Sequence, residues 1–127
     1  MTARKQGISQ IEIESLRSRF EEVYYYLRQR TIDVFKANNA LVEAEKALEE
    51  ATDAILVKYA DEPKSLGSSE VYRKAKIAEM TVNEREEARQ AERAVQLAKH
   101  NVEIARLDVE AARANLRCVE AIISLNT

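Results

Sequence analysis

The chain has 127 residues, 46% of them apolar and 33% charged, with a formal net charge of −2, two glycines and one proline. That length fits one domain, and so few Gly and Pro residues leave little material for a fold with many turns. The near-balanced charge gives no overall pull towards nucleic acid or an acidic membrane, and no run of about 18 apolar residues exists to span one.

The lone cysteine, Cys118, excludes an internal disulfide and fits a reducing cytosol. A cytoplasmic location is expected. Met1 to Gly7 lacks an apolar signal region and reads as a short frayed arm. A start signal follows: Ser9 as N-cap with Glu12 forms a capping box, and Ile8 with Ile13 forms the matching hydrophobic staple.

From Ile13 every seventh residue is apolar: Phe20, Leu27, Val34, Leu41, Leu48 and Ile55 follow. Leu16, Val23, Arg30, Ala37, Ala44, Ala51 and Lys58 lie three residues after each. This a/d seam predicts one helix over about 10–60, on the order of 75 Å long, ending before Pro63. Tyr24, Tyr25 and Tyr26 surround its early part. Beyond Ala37 the d positions turn to alanine, as do the flanking Ala40, Ala47 and Ala54, which would let a facing helix approach closely. Arg30 is the misfit at d. Either its stem lies on the seam and its head reaches solvent, or it sets register against an acid on the facing helix.

The turn is expected over 61–68, which holds Pro63 and Gly67. Ser68 or Ser69 then caps a short helix over about 69–80, whose Val71, Ala75, Ala78 and Val82 share one phase. The last helix, about 82–125, carries the seam Ala88, Ala91, Val95, Ala98, Val102, Ala105, Val109, Ala112, Leu116, Val119 and Ile123. Extended backward this seam meets Lys74 and Thr81, so the two phases disagree. Thr81 with Glu84 forms another capping box, and a break or kink is expected there. The fold expected is all-α: a long antiparallel, coiled-coil-like hairpin in which positions whose numbers total about 130 are neighbours, such as Leu16 and Ala114.

A second stripe runs along the last helix through Leu97, Ile104, Leu107, Ala111, Ala114, Cys118, Ala121 and Leu125, about 160° from the first seam. The first helix has a shorter one at Tyr25, Ile32, Phe35 and Val42. A helix apolar on two faces is buried on two sides, and the short helix cannot cover both stripes. The expectation is a homo-oligomer, most simply a twofold dimer forming a helical bundle. Its interface would use Tyr25, Ile32, Phe35, Leu97, Ile104, Leu107, Ala111, Cys118 and Leu125.

Catalytic and cofactor signals are sparse. No glycine-rich phosphate loop, zinc-ligand spacing or nucleophile elbow occurs, so neither a cofactor nor a metal is expected. His100 is the only histidine. A two-histidine, carboxylate metal bundle wants Glu-x-x-His, and Leu97 stands where that Glu would be, so His100 reads as a satisfied or solvent-facing histidine rather than a ligand. Cys118 reads as an apolar interface residue that would crosslink if it met its symmetry mate. Lys64, Arg73, Lys74 and Lys76 form a basic cluster near the turn, beside Tyr72, which reads either as a contact for phosphates or an acidic partner or as a solvated hairpin tip.

Leu66-Gly67-Ser68-Ser69-Glu70, Arg73-Lys74-Ala75-Lys76 and Glu79-Met80-Thr81-Val82-Asn83-Glu84 resemble a class of small helical phage and prophage proteins. In that class such a turn and break precede a long alanine-rich helix, and the genes often lie near replication or recombination genes. The resemblance spans roughly residues 60–125. It implies a mobile-element origin, an accessory role and a host-cytoplasmic setting, and assigns no functional residue. The readings that follow are a non-enzymatic scaffold or regulatory module acting on a protein partner, and a nucleic-acid or recombination accessory protein using the basic cluster.

Overall fold

The computed structural model describes residues 10–126. The expected Ser9 cap, Ile8 staple and N-terminal arm lie outside them. Helix α1 spans Gln10–Lys58, a 3-10 turn spans Pro63–Leu66, α2 spans Glu70–Met80 and α3 spans Val82–Asn126. No strand occurs among the described residues, and the protein is an all-α helical hairpin. It divides into two compact units. One joins the described residues up to Val34 with those from Ala98 onward, and the other is Phe35–Leu97.

In the first unit the two seams meet as their spacing requires. Val23 of α1 packs with Val109 and Ala112 of α3, with Phe20 and Leu27 against them. The guanidinium of Arg113 lies 5.9 Å from the Phe20 ring centre. These pairs total 132 to 135, a few residues beyond the expected offset. Along α3, Val102, Ala105, Val109, Ala112 and Val119 are all buried, with Leu116 and Ile123 half-buried. Burying a Val or Leu side chain stabilises by about 1.5–3 kcal/mol, so a long row of such contacts holds the pair together.

The second unit contains the reversal. The carbonyl of Ile55 accepts from the Tyr59 N–H at 3.1 Å, and α1 ends two residues short of Ala60. Pro63 then opens the 3-10 turn, where a missing N–H costs nothing, and Gly67 N–H donates to the Lys64 carbonyl. Leu66 is buried beneath the turn. At Gly67, φ is +155°, and an added Cβ would lie 2.8 Å from Tyr72 Cβ, so both conformation and space call for glycine. Ser69 is the N-cap of α2, its hydroxyl accepting from the Tyr72 N–H at 3.3 Å.

The α3 seam continues here through Ala88 and Ala91, half-buried, to Val95, buried. Across from it on α1, Leu41, Ala44, Leu48, Ala51 and Ile55 are half-buried. Ala40, Ala47 and Ala54 are exposed, so the small residues that matter for close approach are those at d alone. Lys58, the last seam position, is also exposed.

Thr81 corrects two expectations. The break is there, with Thr81 at φ −112°, ψ 24° between α2 and α3, but no capping box forms. Its hydroxyl donates instead to the Ile77 carbonyl at 2.8 Å and accepts from Arg85 Nε at 3.3 Å. Back-bonding of this kind bends a helix rather than starting one. The Thr81 N–H also donates to Ile77, and Arg85 N–H donates to the Thr81 carbonyl. Thr81 is moreover fully buried, so the α3 seam runs on through it. Behind it Ile77 and Ala78 face inward, whereas Val71, Ala75 and Val82 are exposed; the shared phase expected of those residues is not the buried one.

Candidate functional interface

Among the described residues, the second stripe of α3 is left without intramolecular cover. In the first unit Ile104, Leu107, Ala111, Ala114, Cys118, Ala121 and Leu125 are all exposed, Leu107 at 64% and Leu125 at 87%. On α1 in the same unit, Tyr25 and Ile32 are exposed as well. In the second unit Phe35, Val42 and Leu97 are exposed, Phe35 at 68%. The seams and stripes identified from spacing therefore separate by burial. Scattered exposed apolar residues are ordinary on a protein surface, but a row repeated at helical spacing on one face is not.

Arg30 settles between the two readings of it. Its guanidinium lies 4.6 Å from the Tyr26 ring centre and pairs with Asp33 at 3.2 Å, both on α1 itself. The acid it meets is thus three residues along its own helix, not on the facing one. Its Nε is buried without a hydrogen-bond partner.

The basic cluster near the turn is partly engaged locally. Lys74 pairs with Glu70 at 3.6 Å and Lys76 with Glu79 at 3.8 Å. Arg73 Nε donates to the Ser69 carbonyl at 3.3 Å. Lys64 and Tyr72 are exposed. A shallow cleft of about 400 Å³ lies at this end, lined by Leu66, Gly67, Ser68, Tyr72, Ala75, Lys76 and Glu79. It presents one cation and one carboxylate that pair with each other.

His100 is exposed. Among the described residues no three His, Cys, Asp or Glu side chains are grouped to hold a metal ion. No described helix is long and apolar enough to cross a membrane.

Two inward residues, Leu66 and Ile77, were not picked out by spacing. Ile77 stands four residues before Thr81, so following the seam through a threonine would have found it. Leu66 is an isolated apolar residue in a turn and carries no periodic signal. Comparison with known proteins finds no family model, curated protein or solved structure that matches the chain.

Proposed function

We propose that this protein is a non-enzymatic, coiled-coil scaffold or regulatory module of the cytoplasm that self-associates into a helical bundle, most simply a dimer, and acts on a protein partner. One observation carries the reading: the hairpin seam of α3 is buried while the heptad stripe behind it is exposed from Ile104 to Leu125. Water-exposed apolar rows of this spacing are covered by further helices. The resemblance of the turn and break to small phage and prophage proteins adds an accessory role in a mobile element. Light scattering at tens of micromolar should give at least twice the 14.5 kDa chain mass. A monomer would end the self-association reading.

A second reading is nucleic-acid contact through Lys64, Arg73, Lys74 and Lys76. It is favoured by the exposure of Lys74 and Lys76, whose surface ion pairs are weak enough to yield to phosphate. Binding to DNA or RNA that falls with added salt would support it, and no binding at low ionic strength would dispose of it.

A further inference from the structure

The exposed face of α3 is a second heptad seam with its own flanking charges, and those charges choose an orientation. Placing Ile104, Ala111 and Cys118 at one repeat position puts Leu107, Ala114 and Ala121 three residues after each. These are the a and d positions of a coiled coil. Glu103, Glu110 and Arg117 then occupy g, and Asn101, Asp108 and Asn115 occupy e. Glu110 and Arg117 are exposed, and among the described residues neither is in an ion pair.

We infer that the occupant of this face is α3 of a second copy of the chain, running antiparallel, with Ala111 against Ala114 across a twofold axis and Glu110 against Arg117. The inference rests on the self-association reading and adds its orientation and register. In an antiparallel pair g faces g and e faces e. The layers then match Leu125 with His100, Ile104 with Ala121, Leu107 with Cys118, and Ala111 with Ala114, large residues opposite smaller or polar ones outward and small opposite small at the axis. Glu110 meets Arg117 twice, once on each side of the axis, and Asp108 meets Asn115. Shifting the register by one heptad sets either Glu110 on Glu110 or Arg117 on Arg117. A parallel pair sets Glu103 beside Asp108 and leaves Arg117 beside Ile122. Only the stated register brings opposite charges together without like charges on the axis.

Cys118 reads out the arrangement. In this register its symmetry mate lies 11 residues away along the axis, about 16 Å, which is beyond disulfide reach. Leu107 of the second copy lies directly opposite it. Within one helix, positions 107 and 118 are separated by the same span, so a bond between them forms only across the interface.

The test is copper-phenanthroline oxidation of the full-length wild type and of Leu107→Cys, run on non-reducing gels, with light scattering on both. A covalent dimer from Leu107→Cys and none from the wild type supports the register. A wild-type dimer joined through Cys118 overturns it, as does a scattering dimer in which Leu107→Cys forms no bond. A wild type that scatters as a monomer overturns self-association itself, a distinguishable failure. Should Leu107→Cys itself fail to dimerise, charge exchange decides. Glu110→Arg should weaken the dimer about tenfold, and adding Arg117→Glu should restore it. Absence of that rescue contradicts the register.

Discussion

Arg30 shows how a residue that breaks a pattern is accommodated without being useful to stability. It occupies a seam position, half-buried, with its head held by Tyr26 and Asp33 and its Nε unpaired. An unsatisfied buried donor costs about 1–3 kcal/mol, whereas the pair with Asp33 lies close to solvent and returns little. Arg30→Met should therefore raise stability by about 1 kcal/mol, visible as a higher urea midpoint at unchanged slope. Lower stability would mean that the Tyr26 and Asp33 contacts outweigh the orphaned donor. Gly67 is the opposite case, a residue the turn cannot replace. Gly67→Ala should destabilise by about 1–3 kcal/mol, because the new methyl meets Tyr72 in a conformation that L residues rarely adopt. Thermal unfolding of the variant checks this directly.

At the scale of the element, the two faces of α3 should respond differently to the same kind of change. Val109→Asp places an unpaired charge against Val23 in the seam and should cost about 3–5 kcal/mol, lowering helicity by circular dichroism. Much of this was legible from the amino-acid order. The heptads from Ile13 and from Ala88 and the separation of seam from stripe follow from periodicity, and side-chain burial matches them; the turn follows from Pro63 and Gly67. What spacing could not supply was the identity of polar contacts. Thr81 looked like a helix start because Ser and Thr caps dominate that pattern, yet here the Ile77 carbonyl takes the hydroxyl. Spacing places only Ala78 of the inward face of α2 for a related reason: a buried threonine hides the phase that Ile77 shares. Arg30 had two readings, and the nearby Asp33, three residues on, took the part assigned to the facing helix.

For the whole molecule, the proposed division is between a hairpin seam that folds the chain and an outer stripe of α3 that assembles it. An oligomer that forms only from folded chains makes unfolding concentration-dependent, so the unfolding midpoint should rise with protein concentration. The most direct measurement is sedimentation equilibrium, with circular dichroism on the same samples, comparing the wild type with Ile104→Glu/Leu107→Glu. Both residues are exposed, so these changes leave the buried contacts of Val23, Val109 and Ala112 untouched. The prediction is a wild-type dimer, a monomeric variant and helicity largely retained. A monomeric wild type, or a variant that loses helix and assembly together, would contradict the division between a seam that folds and a stripe that assembles.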